Sequence, residues 1–205
     1  MKYRDEWVNE MQPLLGLISA LKWVNDWTGR IGTALSVGAL GLMVVVILTQ
    51  VFCRYVLNAA LPWPDEAARF LMLWLTGLMA PIALRQGGMV AITGVLESFP
   101  RPLFKVISIL LMLVGFAVLI VAAQLGWKHV NSGWLFASAS LKVPLSLIGM
   151  KSVKIKLAWM YMSLLVGVWL MLLVTVELLV RMVFDLFGLG HKLPPLSSPS
   201  DKEVA

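Results

Sequence analysis

Ionisable side chains inside long apolar stretches are the groups of this chain that could do chemistry. Glu177 is the one acid within such a stretch, and Arg181 follows it four residues later. Residues with this spacing share a helix face, so the sequence predicts an ion pair near the end of the stretch. A proton or cation site at Glu177 is the alternative. The two histidines, His129 and His191, lie outside the middle of the apolar stretches, which excludes a di-haem cytochrome.

Other reactive groupings are missing from the sequence. It contains no Gly-rich phosphate loop leading into a helix, no cluster of histidines and acids with metal-ligand spacing, and no nucleophile beside a base. The single cysteine, Cys53, cannot form an intramolecular disulfide. We therefore predict a protein that is not an enzyme and that carries no cofactor or metal.

Apolar segments dominate the chain, which has 205 residues, of which 60% are hydrophobic and 14% are charged. This composition lies outside the range of soluble domains. Three uncharged runs, 31–53, 106–127 and 157–176, are long enough to cross a bilayer core of about 30 Å as helices. A fourth run, 70–84, crosses only if residues 63–69 extend it. We predict an all-α membrane protein with four transmembrane helices.

An amphipathic segment precedes the first of these runs. Apolar residues recur at helical spacing in residues 1–30, and Trp23 and Trp27 accompany them, which predicts an N-terminal helix lying in the membrane interface. A simple tether is the alternative. Lys22 and Arg30 are placed to meet lipid head groups. The predicted organisation is an interfacial segment at 1–30, a four-helix membrane domain at 31–185, and a disordered tail at 186–205.

Basic residues are distributed unevenly between the two sides of the membrane. Four spans would place ten Lys and Arg on the side of both termini and seven on the other. The positive-inside rule then assigns both termini to the cytoplasm, although five of the seven follow the third span. The net charge of +6 does not indicate nucleic acid, because the basic residues flank apolar runs and anchor helices there.

The densest polar feature is the junction between the first two spans. Arg54 is placed to extend toward the head groups, and Trp63 is placed as an interfacial anchor. Asp65 and Glu66 fall at the positive N-terminus of the next helix. Glu66 and Arg69 are three residues apart, so they can pair with each other or with another subunit.

This junction also carries a resemblance to a known family. The pattern Arg54-Tyr55, Leu61-Pro62-Trp63 and Asp65-Glu66-Ala67-Ala68-Arg69, leading into Leu73-Trp74, resembles the small membrane (Q) subunit of tripartite ATP-independent periplasmic (TRAP) transporters. The likeness continues through Arg85-Gln86-Gly87-Gly88 and into the last span. In one departure, Met89 stands where the family often has a histidine.

The resemblance implies partners and a role. Expected partners are a large multi-span subunit with the sodium and substrate sites, a periplasmic binding protein that delivers an organic acid, and membrane lipids. The small subunit would be a scaffold in the bacterial inner membrane. The residues expected at subunit or lipid contacts are Arg54, Trp63, Asp65, Glu66, Arg69, Trp23, Trp27, Lys22 and Arg30.

A transporter of a different kind is the alternative. A small four-helix oligomeric transporter, or a solute-binding membrane component, would use Glu177 or Glu66 as a buried titrating group. The sequence contains no internal repeat and no inverted pair of broken helices, from which secondary transporters often build a central site.

Overall fold

The computed structural model describes residues 2–59, 61–96, 101–143 and 153–186. This part of the chain contains four helices and one hairpin. In chain order they are α1 Lys2–Tyr55, α2 Pro64–Leu96, α3 Arg101–Gly133, β1 Ala137–Val143, β2 Val153–Lys156 and α4 Ala158–Leu186. The predicted disordered tail lies outside the described residues beyond Leu186.

All four helices have the length and composition to cross a membrane. The candidate spans are Ile18–Tyr55, Pro64–Gly87, Leu103–Gly133 and Ala158–Leu186. The prediction of an all-α membrane protein with four transmembrane helices is thereby confirmed. The second span begins at Pro64, so it does include the charged residues that precede Phe70.

The first helix is continuous from Lys2 to Tyr55. The predicted N-terminal segment therefore shares one helix with the first span. Ile18 and Asn25 are buried, whereas Trp23 and Trp27 on the same helix are exposed. The amphipathic character of the segment and its position in the membrane interface stay predictions.

Helix α4 is the centre of the bundle. In the most apolar 18-residue stretch of α4, 44% of the residues are buried. The corresponding share is 11% in each of the other three helices. Leu178 and Val174 of α4 form the core with Met112 of α3. Helices α2 and α3 both pack on α4, and α1 packs mainly on α2. Large apolar faces of α1 and α3 remain exposed.

Small residues let α2 and α4 approach closely. A Cβ atom added at Gly167 of α4 would lie 2.5 Å from the carbonyl oxygen of Gly77 in α2. A Cβ added at Gly77 would in turn clash with the carbonyl oxygen of Ser163. Close contact between small residues is the usual way in which membrane helices associate, because lipid gives them no hydrophobic drive to do so.

A two-stranded antiparallel sheet connects α3 to α4. Strand β1 pairs with β2 in the register Ala137↔Lys156, Lys142↔Lys154 and Val143↔Val153, with an irregularity between the first two pairs. The sequence pattern of these residues does not predict a hairpin. It defines the hairpin end of the bundle, where α1 and α3 finish and α2 and α4 begin; the opposite end is called the termini end.

We expect Gly167→Val to destabilise the bundle, because the new side chain would meet backbone atoms of α2 that cannot move aside. A loss of about 2 kcal/mol in the free energy of unfolding is typical of such overpacking. Detergent-induced unfolding followed by circular dichroism measures it. Gly115→Val is the matched control, since a Cβ there has no neighbour within 4 Å among the described residues. Equal stability of the two variants would contradict the close α2–α4 contact.

Candidate functional site

Two carboxylates and two guanidinium groups meet at the termini end of the bundle. At their centre is Glu177 of α4, whose side chain is fully buried. Its Oε1 accepts hydrogen bonds from Arg181 Nη2 at 2.9 Å and Nε at 3.1 Å, and from Arg85 Nη2 at 3.2 Å. Its Oε2 accepts one from Asn25 Nδ2 at 2.7 Å. Both carboxylate oxygens are therefore occupied by protein donors.

Arg85 at the end of the second span joins this acid to α1. Its Nη1 lies 2.5 Å from Asp26 Oδ1, while its Nη2 contacts Glu177. The side chain of Arg85 is only 12% exposed and that of Asp26 only 19%. One guanidinium thus connects α1 to α4 across α2. We call Asn25, Asp26, Arg85, Glu177 and Arg181 the buried charge cluster.

The buried charge cluster follows from the cost of removing charges from water. A lone ion in a low-dielectric interior is strongly unfavourable, whereas a charge-balanced and hydrogen-bonded group is tolerated. Two acids balance two arginines here. The donors come from three helices, so the cluster fixes the relative positions of α1, α2 and α4.

The sequence predicted part of this cluster. The pair between Glu177 and Arg181 is confirmed, because an i,i+4 spacing is visible in the sequence. Arg85 and Asn25 were missed, and they lie 92 and 152 residues from Glu177 along the chain. The available signal was that Asn25, Arg85 and Glu177 are polar residues near the same end of three different spans.

At the hairpin end, Glu66 of α2 holds strand β1. Its carboxylate accepts hydrogen bonds from the backbone N–H groups of Ala139 at 3.2 Å, Ser140 at 2.8 Å and Leu141 at 3.2 Å. The hydroxyl of Ser140 also donates to it. Consecutive N–H groups that converge in this way form an anion-binding nest. Glu66 therefore attaches β1 of the hairpin to α2.

The other predicted junction residues do not form one site with Glu66. Asp65 Oδ1 accepts a hydrogen bond from Gln50 Nε2 at 2.9 Å, which joins α1 to α2. The backbone carbonyl of Trp63 accepts the N–H of Ala67. Arg54 and Arg69 are exposed.

The predicted residues of the N-terminal segment face outward, apart from one. Trp23, Trp27 and Arg30 are exposed, and Lys22 is half-buried. Contacts of these residues and of Arg69 with another subunit or with lipid stay predictions.

The described residues contain no grouping of side chains suited to holding a metal ion. No three His, Cys, Asp or Glu side chains in the described ranges are arranged to hold a metal ion. His129 lies beside the ring of Tyr161, with centroids 6.1 Å apart. The polar groups of the site are arranged to join helices.

Four apolar helices of membrane-spanning length, three of which are joined by buried ion pairs, define a multi-pass membrane protein. The family model of the tripartite ATP-independent periplasmic transporters, DctQ component, matches residues 43–185. The chain belongs to this family, the small membrane component of TRAP transporters, and the resemblance seen in the sequence is confirmed. No match was found among curated proteins.

We expect Arg85→Gln to destabilise the bundle strongly, because it removes the cation that contacts both Asp26 and the fully buried Glu177. Breaking a buried ion pair costs about 3–5 kcal/mol. Lys105→Gln is the control, since the pair between Lys105 and Asp185 is exposed and such pairs contribute below about 1 kcal/mol. Unfolding in mixed detergent micelles measures both variants. Similar stability of the two would contradict a structural role for the buried charge cluster.

We expect Glu66→Gln to loosen the hairpin while leaving the helices intact. A neutral amide forms weaker hydrogen bonds to the nest than a carboxylate does, because charge-assisted bonds are about twice as strong. Hydrogen–deuterium exchange should speed up at Ala139, Ser140 and Leu141. Arg69→Gln, one turn further along α2, serves as the control and should leave these amides unchanged. Unaltered exchange in Glu66→Gln would refute the attachment.

Proposed function

We propose that this chain is the scaffold subunit of a TRAP-type secondary transporter. It supports a large multi-span subunit in the bilayer while that subunit performs sodium-driven uptake of an organic acid. A periplasmic binding protein delivers the acid. Membership of the DctQ family supports the transporter class. The observation that carries the scaffold role is the engagement of the buried charges in contacts between helices.

The hydroxyl groups of the spans support the same role. A solute pathway would need polar groups that face a cavity at mid-membrane depth. Most hydroxyls here donate instead to a carbonyl of their own helix one turn earlier, as Thr175 does to Met171 at 2.7 Å. The others that do so are Ser19, Thr28, Thr33, Thr49, Thr76, Ser108 and Ser163. Within the described ranges, buried Ser36 is an exception that has no hydrogen-bond partner.

The exposed apolar faces offer surface for a membrane partner. On α1 they include Val45, Leu48 and Phe52, which are 54–61% exposed and recur at helical spacing. On α3 they include Leu110 and Val118, which are 60% and 62% exposed. Lipid can cover such stripes, and so can another multi-span protein. We assign one of them to the large subunit and the rest to lipid.

The proposed location is the bacterial inner membrane with both termini in the cytoplasm. The side of the termini carries ten Lys and Arg against seven on the other side, which supports this orientation. The hairpin end would then face the periplasm, where a soluble binding protein would approach the complex.

The contacts favour the scaffold over a small oligomeric transporter. Such a transporter would need Glu177 or Glu66 to exchange a proton or a solute. Both oxygens of Glu177 are bound by Arg85, Arg181 and Asn25. The carboxylate of Glu66 is bound by the hairpin backbone.

Affinity purification of the tagged chain from its native membrane in mild detergent tests the proposal. We expect mass spectrometry to find a large multi-span protein bound at a one-to-one ratio. Recovery of this chain alone, as a stable homo-oligomer, would contradict the scaffold role.

A substitution in the complete transporter distinguishes a role of Glu177 in assembly from a role in transport. We expect Glu177→Gln to reduce the amount of assembled complex, because the cluster is weakened, while uptake per assembled complex stays within about twofold of the unmodified protein, a difference of about 0.4 kcal/mol. Lys105→Gln is the control for assembly. Loss of uptake in complexes that assemble normally would instead make Glu177 a transport residue.

A further inference from the structure

The hairpin carries lysines without acidic neighbours in the sequence. No Asp or Glu occurs between residues 98 and 176, whereas Lys154 and Lys156 both lie on β2. We call these two lysines the basic hairpin surface. Both are exposed. An anion that binds beside them would neutralise their charge.

The acids at the hairpin end are already engaged. Asp65 binds Gln50, and Glu66 binds the backbone of β1. Lys156 donates through Nζ to the carbonyl oxygen of Trp134 at 3.1 Å, which neutralises no charge. Lys154 is exposed and forms no ion pair within the described ranges. The positive charge of the hairpin is therefore available to an outside partner.

Exposed apolar residues adjoin the basic hairpin surface. The turn from α3 into β1 presents Trp134, Leu135 and Phe136, which are 45%, 80% and 61% exposed. Trp134 also lies edge-on to Trp159 in the first turn of α4, with ring centroids 6.4 Å apart. Tryptophans concentrate at the level of the lipid head groups. The lysines of β2, immediately before α4, therefore lie at head-group depth.

We propose that the basic hairpin surface binds the phosphate groups of anionic phospholipids. An anionic lipid suits both the lysines and the neighbouring apolar turn. Its phosphate pairs with the lysines, and its acyl chains cover the exposed side chains of the turn. An acidic soluble protein would neutralise the lysines but would leave the apolar turn uncovered. The lipid contact holds the hairpin end in the leaflet opposite the termini, and it does not depend on the scaffold role.

The charge distribution between the two membrane faces agrees with this assignment. The positive-inside rule disfavours lysines near the spans on the side opposite the termini. Four of the seven basic residues on that side, Lys142, Lys151, Lys154 and Lys156, nevertheless follow the third span. The positive-inside rule therefore does not explain these lysines, whereas binding of an anionic ligand does.

Hydrogen–deuterium exchange in nanodiscs tests the proposal. The full chain is placed in phosphatidylcholine alone or in phosphatidylcholine with phosphatidylglycerol. We expect the amides of β1 and β2 to exchange more slowly in the anionic discs. Lys154→Gln/Lys156→Gln should remove this difference, Lys154→Arg/Lys156→Arg should retain it, and the tail control Lys192→Gln/Lys202→Gln should leave it unchanged.

Native mass spectrometry measures the strength of the contact in the same samples. The preference for phosphatidylglycerol over phosphatidylcholine should fall about 25-fold in Lys154→Gln/Lys156→Gln, since each lysine near an anionic surface contributes about 1 kcal/mol. Equal hairpin exchange in the two kinds of disc would overturn the proposal. It would also be overturned if the glutamine variant kept its preference for phosphatidylglycerol, or if the arginine variant lost it.

Discussion

The need to pair Glu177 inside the membrane organises this structure. A carboxylate at a fully buried position has no water to solvate it, so protein groups must supply the donors. Arg181 is on the same helix, but Arg85 and Asn25 belong to α2 and α1. The hydrogen bonds to Glu177 therefore fix the position of α2 along the axis of α4. They also hold α1 against the bundle at Asn25. The close contact of Gly77 with Gly167 lets the backbones of α2 and α4 approach.

The opposite end of the bundle is organised by a second carboxylate. Glu66 lies at the beginning of α2 and binds three successive N–H groups of β1. These hydrogen bonds hold β1 of the hairpin against α2. Both acids join elements that are distant in sequence. The family match begins at residue 43, so the α1 contributions to the buried charge cluster, Asn25 and Asp26, lie outside the matched region.

Local patterns predicted the parts of the structure that depend on neighbouring residues. Uncharged runs of sufficient length identified the spans, and the shortness of 70–84 required the charged residues before Phe70 to join the second span. The i,i+4 spacing identified the pair of Glu177 with Arg181. The length of a bilayer and the pitch of a helix are fixed, so these inferences need only the sequence.

Contacts between distant segments were not accessible in the same way. Nothing in the spacing of Arg85 or Asn25 reveals which acid each one meets, because that depends on how the helices pack. The hairpin was missed because β1 reads Ala-Ser-Ala-Ser-Leu-Lys-Val, with a single β-branched residue and no strong alternation. Its position depends on Glu66, which the sequence placed only at a helix N-terminus. Donor networks of this kind become visible once the bundle is assembled.

Reconstitution of the isolated chain into proteoliposomes tests the central claim most directly, namely that its buried charges join helices and do not carry solute. Uptake of radiolabelled organic acids is measured under an imposed sodium gradient and, separately, under a proton gradient. We expect uptake equal to that of empty liposomes under both gradients. Uptake by the isolated chain that disappears in Glu177→Gln or Glu66→Gln would contradict it.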